Sequence, residues 1–591
     1  MVSAKIEPTV GLVTRPGVLA IIALVLLSLP AVADLAKPGF YTSHDGETHT
    51  ARMAQYWQAM VDGQIPPRFA GTLYNGLGSP ILTYIYPLPY FAGSLVHSLG
   101  FSFTDSFEII MALGFIFSGI FSYLWLKEVF QSDRAAALGA LFYMWVPYRF
   151  LLIYVRGSIS ENIAYTILPL LFYCLTKLQQ KSNALWTAAT ALSSSLLLLS
   201  QNLVALMFLP IIGIYVLLLA FAKKSPRYLV LTIASGIWAI SIAAVTYLPA
   251  ALERKFVRFD EVYALTYLDH FVSLKQLIHS PWGYGFSLTG FDDLMSFQIG
   301  LAHLLVLGIF LLILAFQVLS KFKASANTRV LSLFFTLVVA TTVILMIPTR
   351  ATISFWQHFE PITRIDYPWR LLGLTTFALS FIAAYVAKAA KPGLIFIFLV
   401  AAVLIANRNH LRINLPAYFD DKFFLNYTNT ATQLGEFTPK WRQSTRVPIG
   451  FDPATHVELV SGNAKIENVT AISNEVTFDT QVNSDSARVR INKFYFPGWG
   501  VQVDGQKLTP FKDLIITDTN TLLLDVEQDA SGLMMINLEK GQHQISARFG
   551  ETKLRLFANL LSLGSLVLAL AVLARTNIGH RHPELVEGEG S

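Results

Sequence analysis

The sequence predicts a polytopic α-helical membrane protein, with about 12 spans of roughly 20 residues each, and an extracytoplasmic β-sandwich domain near its C-terminus. Three observations lead to this fold class. The 591 residues are 54% hydrophobic and only 14% charged, whole runs of spanning length are apolar, and a late stretch alternates apolar with polar residues. Soluble chains carry about 25% charged residues. A soluble protein of this size is therefore excluded.

The apolar runs place the membrane spans along the chain. We expect them at 17–34, 104–127, 133–154, 160–178, 184–200, 202–221, 227–250, 298–320, 328–346, 367–388, 393–407 and 555–575. The first of these also resembles a signal peptide, since Ala31-Val32-Ala33 suits a cleavage site. An uncleaved first helix is the preferred interpretation, because the following residues have membrane-associated features.

Lysine and arginine in the short loops set the orientation. With both termini in the cytoplasm, nearly every short inner loop is basic, for example at Lys127 and Arg134 or at Lys223 and Lys224. The net charge of +6 therefore reflects topology and not nucleic-acid binding. The predicted location is the bacterial cytoplasmic membrane, with several passes.

This orientation divides the chain into four parts. Residues 1–407 form the transmembrane domain with a first outer loop at 35–103, residues 408–554 form the outer β-sandwich, residues 555–575 form the last helix, and residues 576–591 form a disordered cytoplasmic tail. The proline- and tyrosine-rich segment 80–99 is placed as re-entrant or interfacial on the outer side, since a full crossing would invert every later loop.

Alternation of apolar and polar residues predicts the β domain. It is clearest at 487–494 and at 542–549, and the turn signals Pro497-Gly498, Asp504-Gly505 and Lys540-Gly541 separate the strands. This pattern is typical of an antiparallel sandwich.

The first outer loop is unusually polar. His44, Asp45 and Glu47 stand together at the exit of the first span, immediately before a predicted helix. Asp45 could simply cap that helix. Its histidine and glutamate neighbours make a functional role equally attractive.

Several arginines map to the same side of the membrane as this loop. They are Arg149, Arg156, Arg364 and Arg370. Ionisable groups at membrane depth usually face a cavity or a partner, although any one arginine could instead reach toward lipid phosphates. We expect an outer cavity that binds an anion such as phosphate.

Other chemistries lack their motifs. The sequence has no phosphate-binding loop, no G-x-S-x-G and no H-E-x-x-H, and its one cysteine, Cys174, lies in an apolar run.

The ordered set of short motifs resembles the GT-C class of membrane glycosyltransferases, in particular the bacterial group called 6-pyruvoyl-tetrahydropterin synthase-related membrane proteins. The resemblance covers about 35–390 and is carried by Ser43-His44-Asp45-Gly46, Gly63-Gln64-x-Pro66-Pro67-Arg68, Gly76-x-Gly78-Ser79-Pro80, Tyr86-Pro87-x-Pro89-Tyr90, Pro147-Tyr148-Arg149, Arg156-Gly157, Glu161, Leu248-Pro249-Ala250 with Glu253, and Pro368-Trp369-Arg370. The outer domain resembles the C-terminal part of YfhO-like proteins through Tyr495-Phe496-Pro497-Gly498-Trp499 and Val503-Asp504-Gly505. The pterin name is not to be taken literally, because no zinc-binding histidine set is present.

The resemblance implies an inverting transfer of a sugar from a polyprenyl-phosphate donor to an envelope glycan, lipid or protein acceptor, on the outer face of the membrane. Asp45 would act as base or metal ligand, with Glu47 and His44 beside it, and a divalent cation such as Mg²⁺ or Mn²⁺ is expected at His44 and Asp45. Arg149, Arg156, Arg370 and Arg364 would bind the donor phosphate. The substrate and lipid cavity would include Arg68, Tyr86, Tyr90, Glu161, Gln201, Asn202 and Glu253.

Two other functions stay open at this point. One is a transporter or flippase for lipid-linked glycans, which would place polar residues deep in several spans. The other is a non-catalytic envelope protein that binds glycan through 408–554.

Overall fold

The structure, a computed structural model, describes residues 15–262, 266–319, 326–390, 393–447, 452–510, 512, 514–516 and 532–579. The helices are α1 (Arg15–Val32), α2 (Gly46–Val61), α3 (Leu88–Ser98), α4 (Phe103–Phe130), α5 (Asp133–Met144), α6 (Pro147–Phe150), α7 (Ile159–Lys181), α8 (Ala184–Ser200), α9 (Asn202–Lys223), α10 (Pro226–Glu253), α11 (Phe259–Val262), α12 (Leu274–Ile278), α13 (Leu301–Leu319), α14 (Ala326–Met346), α15 (Arg350–His358), α16 (Glu360–Thr363), α17 (Leu372–Ala389), α18 (Gly393–Asn407), α19 (Asp421–Leu425) and α20 (Lys553–Gly579).

Ten helices in the described residues are long and apolar enough to cross a membrane, and α5 with the following segment makes up to eleven. The apolar helix α8, with 17 residues, falls just below that length. Every predicted span corresponds to one of these helices or to the bent pair, so the chain is a multi-pass membrane protein. Of the predicted tail 576–591, residues 576–579 belong to α20, and the residues from 580 onward lie outside the described residues.

The segment 80–99 contains no spanning helix. A short 3₁₀ turn at Pro80–Thr83 precedes α3, which has 11 residues and would extend only about 16 Å. This length cannot cross a hydrocarbon core of about 30 Å. The segment packs against α2 and α4, as expected of an interfacial or re-entrant element.

The C-terminal domain is an antiparallel sheet of seven strands. They are β3 (Val457–Ser461), β4 (Ala464–Ile472), β5 (Glu475–Phe494), β6 (Trp499–Val503), β7 (Gln506–Lys507), β8 (Ile515–Ile516) and β9 (Leu533–Phe549), after the two-residue pair β1 (Phe40–Tyr41) and β2 (Pro416–Ala417). The order is β3-β5-β9-β6-β7, with β4 also paired to β5 and β8 to β9. The strands begin at 457, so the stretch 408–447 lies outside the sheet.

Two long strands run through both halves of this sheet. The buried apolar positions of β5 include Val476, Phe478 and Val482 before a register irregularity, and Ala487 and Val489 after it. The buried positions thus change from even to odd numbers across the irregularity between Val482 and Ser486. Both halves thereby contribute to one hydrophobic core, which is what a sandwich requires.

The β domain rests on the loop that follows α1. Lys493 at the end of β5 donates hydrogen bonds to the carbonyl oxygens of Gly71 and Gly76, at 2.9 and 2.6 Å. The Phe494 N–H donates to the Leu77 carbonyl at 2.8 Å. The first loop and the β domain therefore lie on the same side of the helix bundle.

A candidate active site at the end of the helix bundle

A polar cavity of about 440 Å³ lies where the helix bundle meets α2. We call it the central cavity. It is lined by His44, Asp45, Thr48, His49, Arg52, Tyr86, Arg156, Ser158, Glu161, Gln201, Phe286, Ser287, Met295, Tyr367, Trp369, Arg370, Thr432, Gln433 and Glu436.

Asp45 stands immediately before α2, but its carboxylate makes no capping hydrogen bond to that helix. The main chain holds it instead: the N–H groups of His44 and Asp45 donate to the carbonyl oxygens of Val155 and Arg156, at 3.0 and 2.8 Å. The Asp45 side chain is 43% exposed and lies 3.5 Å from Arg156 Nη2. The carboxylate thus faces the cavity and is available for chemistry.

The other wall comes from a break in the bundle. Helix α5 ends at Met144 because Val146, which precedes Pro147, adopts an extended conformation that the proline ring favours. A π-helical turn at Leu151–Arg156 follows, a feature often found at functional sites. The chain bends by 48° overall and delivers Arg156 to the cavity.

Gly157 ends this turn with a left-handed φ of +62°. A Cβ at this position would overlap Ser43 Oγ and would lie 3.0 Å from the Gly46 nitrogen. Glycine is therefore needed both for the conformation and for the close approach of the Asp45 segment.

One buried carboxylate is shared by two guanidinium groups. Arg156 Nη1 donates to Glu161 Oε1 at 2.7 Å, and Arg370 Nε lies 3.7 Å from the same oxygen. Glu161 is in the first turn of α7, where a negative charge suits the helix dipole. Arg370 Nε has no hydrogen-bond partner among the described residues. Arg370 therefore retains a donor for an anionic ligand.

His44 is neutral in this setting. Its ring stacks on Phe286 with 4.4 Å between centroids, and its Nε2 lies 3.2 Å from the Tyr284 carbonyl oxygen. A carbonyl only accepts, so Nε2 carries the proton and Nδ1 keeps its lone pair. Burial lowers the pKa of the His44 imidazole.

A smaller, more apolar cavity of about 270 Å³ adjoins the central one. We call it the side cavity. Tyr86 lines both, and Tyr84, Tyr247, Phe437 and the predicted Asn202 line the side cavity. The tyrosines of the segment 80–99 thus separate a polar space from an apolar one.

Three of the predicted polar residues point away from the central cavity. Glu47 accepts a hydrogen bond from the Tyr427 hydroxyl at 3.2 Å, and Arg364 pairs with the exposed Glu360. Arg149 is buried inside the bundle, where it donates to Asn162 Oδ1 at 2.9 Å. Because these side chains are bound elsewhere, they do not meet the Asp45 carboxylate in this structure.

Arg68 and Glu253 lie at the junction with the last helix. Glu253 receives two hydrogen bonds from Arg555 Nε, at 2.9 and 3.1 Å, and Arg68 donates to Asn559 Oδ1 at 2.8 Å. Tyr90 lies just behind the central cavity, with its hydroxyl 2.9 Å from His49 Nδ1. Of the predicted set, the structure brings together His44, Asp45, Tyr86, Arg156, Glu161, Gln201 and Arg370.

Several cavity residues were not predicted. Thr48, His49 and Arg52 follow Asp45 at helical spacing on one side of α2, so the periodicity of that helix could have identified them. Glu436 and Phe286 come from distant irregular segments. No local sequence signal places them there.

The predicted divalent metal remains a prediction. Among the described residues, no three His, Cys, Asp or Glu side chains come together as a ligand set. Asp45 and His44 alone offer too few ligands, so a cation there would take its other ligands from water and a substrate phosphate, as Mg²⁺ often does. The guanidinium of Arg156 already lies against that carboxylate.

Comparisons with known proteins give partial likenesses. No protein-family model matches the chain. An uncharacterized protein of Lactococcus lactis subsp. cremoris (strain MG1363) is 23% identical over 226 residues, so the match spans 38% of this chain and 37% of that relative.

Solved structures with a partly similar arrangement are membrane glycosyltransferases. Arabinofuranosyltransferase AftD from mycobacteria has a TM-score of 0.40 at 14% identity, covering 66% of this chain and 27% of that one. ArnT from Cupriavidus metallidurans, bound to undecaprenyl phosphate, has a TM-score of 0.30 at 12% identity, covering 64% and 78%. The Archaeoglobus fulgidus oligosaccharyltransferase in its apo form has a TM-score of 0.31 at 15% identity, covering 69% and 54%.

Proposed function

We propose that this chain is a GT-C-type membrane glycosyltransferase that moves a sugar from a polyprenyl-phosphate-linked donor to an envelope glycan, lipid or protein acceptor. The observation that carries the proposal is the pairing, in one cavity, of the open Asp45 carboxylate with Arg156 and Arg370. Glycosyl transfer needs a base for the incoming hydroxyl and cations for the departing phosphate. The motif resemblance of 35–390 supports the same reaction class.

The carboxylate and the two arginines have different roles in the proposed reaction. The acceptor hydroxyl gives its proton to Asp45, and its oxygen forms a bond to the anomeric carbon of the donor. The bond from that carbon to the phosphate oxygen breaks, and its electron pair leaves with the polyprenyl phosphate. A single displacement of this kind inverts the anomeric carbon. Arg156 and Arg370 stabilise the phosphate charge as it develops.

The two neighbouring cavities suit the two parts of such a donor. The polar phosphate and sugar would occupy the central cavity, while the polyprenyl chain would leave through the side cavity past Tyr84 and Tyr86. Buried apolar surface favours that arrangement by about 25 cal/mol per Å².

Two arginines already supply the positive charge that a metal would bring. We therefore propose that transfer proceeds without a divalent cation. A cation bound at Asp45 would neutralise donor phosphate charge, and the chelation experiment described in the Discussion distinguishes the two cases.

The side of the membrane follows from the loop charges. We propose that both termini are cytoplasmic and that the central cavity opens at the outer face of the bacterial cytoplasmic membrane, since basic residues concentrate in the opposite loops.

Transfer by the full-length protein tests the proposal. Purified protein in liposomes is given radiolabelled polyprenyl-phosphate sugars together with membrane glycan fractions as acceptors. We expect labelled product with the wild type and with Glu47→Gln, whose side-chain oxygen keeps the Tyr427 contact. Transfer by Asp45→Asn should be lower by about 10²–10⁴-fold. Equal transfer by the wild type and Asp45→Asn would overturn the role of Asp45. Translocation of the labelled lipid without product would favour a flippase.

A further inference from the structure

A third and larger cavity lies between the first loop and the β domain. Its volume is about 750 Å³, and we call it the domain cavity. Three parts of the chain form it: α2 with the loop at 71–76, the segment 422–428, and the β-domain edges at 452–456 and 471–473. The β domain and the loop that carries Asp45 therefore both line this cavity.

Helix α2 connects this cavity with the central one. Its N-terminal half contributes Thr48 and Arg52 to the central cavity, and its C-terminal half contributes Gln55, Gln58 and Asp62 to the domain cavity. These positions recur every three or four residues and so lie on one side of the helix. From Asp45 to Gln55 is about 15 Å along the helix axis.

One segment crosses α2 between the two cavities. Arg52 Nε donates to the Ala431 carbonyl at 2.8 Å, and Gln55 Nε2 donates to the Leu425 carbonyl at 3.2 Å. Residues of this segment line both spaces, with Thr428 in the domain cavity and Thr432 in the central one. A glycan chain extended along α2 would therefore pass the segment between Leu425 and Ala431 before it reached Asp45.

The domain cavity contains a buried cation. Lys493 is 2% exposed, and its ammonium donates to two backbone carbonyls, of Gly71 and Gly76. An ammonium has three donors, and no carboxylate of the described residues forms an ion pair with this one. Desolvation of an ammonium without a counter-charge is costly. Burial lowers the pKa of Lys493 to about 8, which leaves it charged at neutral pH.

Both acidic groups of the cavity accept hydrogen bonds from neighbouring groups. Asp62 accepts hydrogen bonds from Gln58 Nε2 and from the Ser473 N–H, both at 2.8 Å. Asp452 accepts from the Ala454 N–H at 3.0 Å and from Thr455 Oγ1 at 3.2 Å. Lys422 also lines the cavity and is exposed. Two cations, Lys493 and Lys422, line the same space, and neither forms an ion pair with a carboxylate among the described residues.

We infer that the domain cavity is an acceptor subsite that binds an anionic group of a glycan, a phosphate or a uronate carboxylate, through Lys493 and Lys422. The inference rests on the proposed glycosyltransferase function and names its acceptor class as an acidic glycan. It also gives the β domain a role, which is to hold the acceptor while its end reaches Asp45 along α2.

Binding of defined oligosaccharides to the full-length protein in nanodiscs tests the subsite. The probes are a hyaluronan tetrasaccharide for the carboxylate, phosphorylated maltotetraose for the phosphate, and maltotetraose as the neutral control. We expect one acidic probe to bind at least tenfold more tightly than maltotetraose, and the tighter one identifies the anion.

Matched variants assign the effect to the cavity. Lys493→Met and Lys422→Gln should each lose most of the preference for the acidic probe, while Lys507→Met, an exposed lysine elsewhere in the β domain, should keep it. Lys422 is exposed, so Lys422→Gln tests the subsite even if Lys493→Met does not fold. Equal binding of all three probes, or an unchanged preference in Lys422→Gln and in folded Lys493→Met, would overturn the inference.

Asp45→Asn separates this inference from the proposed function. It should bind the acidic probe as the wild type does, while its sugar transfer falls by about 10²–10⁴-fold. If the wild type shows the binding preference but no transfer with any donor, the glycosyltransferase proposal fails and the acidic-glycan site stands.

Discussion

Two ionic groups near the same end of the bundle differ in what surrounds them. In the central cavity, Asp45, Arg156, Glu161 and Arg370 meet at distances of 2.7 to 3.7 Å beside an open space. At the last helix, Glu253 and Arg555 are buried, 4% and 0% exposed at their side chains, and 2.9 Å apart. The first group keeps donors and one accessible carboxylate, and the second is saturated.

Both ionic groups lie near the same end of the bundle, so position alone does not distinguish a functional ionic group from a structural one. Arg555 uses its remaining donors on the carbonyls of Pro497 and Gly550 and so fastens α20 to α10 and the β domain. Arg156 instead divides its donors between Asp45 and Glu161. We expect substitutions in the first group to change transfer, and those in the second to change stability.

The largest expected effect is that of Asp45→Asn. The amide keeps the size of the side chain but cannot take a proton, so transfer should fall by about 10²–10⁴-fold, the usual contribution of a general base. Thermal unfolding in detergent should not change, because the main-chain bonds to Val155 and Arg156 remain. A parallel loss of thermal stability would mean that Asp45 belongs with the structural group.

Glu253→Gln should lower the stability of the protein and leave the transfer rate almost unchanged. Removing one partner of a buried ion pair leaves an uncompensated charge, and the free energy of unfolding should fall by about 3–5 kcal/mol. The initial transfer rate per folded molecule should stay within a factor of two of the wild type. The double variant Glu253→Gln with Arg555→Met, which removes both charges, should recover part of the stability. A transfer defect without a stability defect would contradict this assignment.

Arg370→Met should have an intermediate effect on transfer. Loss of one donor to a developing oxyanion costs about 10²–10³-fold in well-defined cases, and we expect the lower end because Arg156 remains. The variant should lower kcat more than it raises the donor KM. Arg364→Met, at an exposed pair, is the matched control and should leave both constants unchanged.

A smaller effect concerns Lys493, the buried cation of the domain cavity. Its lowered pKa of about 8 predicts that affinity for an acidic oligosaccharide declines as the pH rises from 7 to 9, because the ammonium loses its proton. His456, Asp452, Asp62 and Lys422 face the same cavity. Lys493→Met lacks the ammonium and should therefore bind the probe with no such pH dependence. A decline that persists in Lys493→Met would assign it to another group.

The smallest expected effect is that of a chelator. With Arg156 and Arg370 supplying positive charge, transfer in the presence of EDTA should stay within a factor of two. A loss that Mg²⁺ or Mn²⁺ restores would instead favour the sequence-based metal prediction and make Asp45 a ligand.

The fold was largely predictable because it depends on long patterns. Apolar runs averaged over about 20 residues located each span, and strict alternation located the long strands β5 and β9. The extent of the sheet was harder to predict, since the stretch 408–447 packs over α2 through backbone carbonyls such as that of Ala431. Any residue type can supply a carbonyl, so these contacts leave no sequence signal.

The sequence predicted the site only where its residues are close together in the chain or belong to one motif. His44 and Asp45 are adjacent, and the motifs around Arg156 and Arg370 mark two breaks in helices at prolines. Arg149 and Arg156 are indistinguishable by composition, yet seven residues and one π turn direct the first into the bundle and the second into the cavity. Only the path of the backbone decides between them.

The contact at Gly157 bears on how such a site can change over evolution. Two main-chain hydrogen bonds and the absence of one methyl group set the position of Asp45 against Arg156. Side chains on either flank can therefore vary without moving Asp45 relative to Arg156. Replacing Gly157 by alanine would place a Cβ against Ser43 Oγ and the Gly46 nitrogen, and so would displace the segment that carries Asp45.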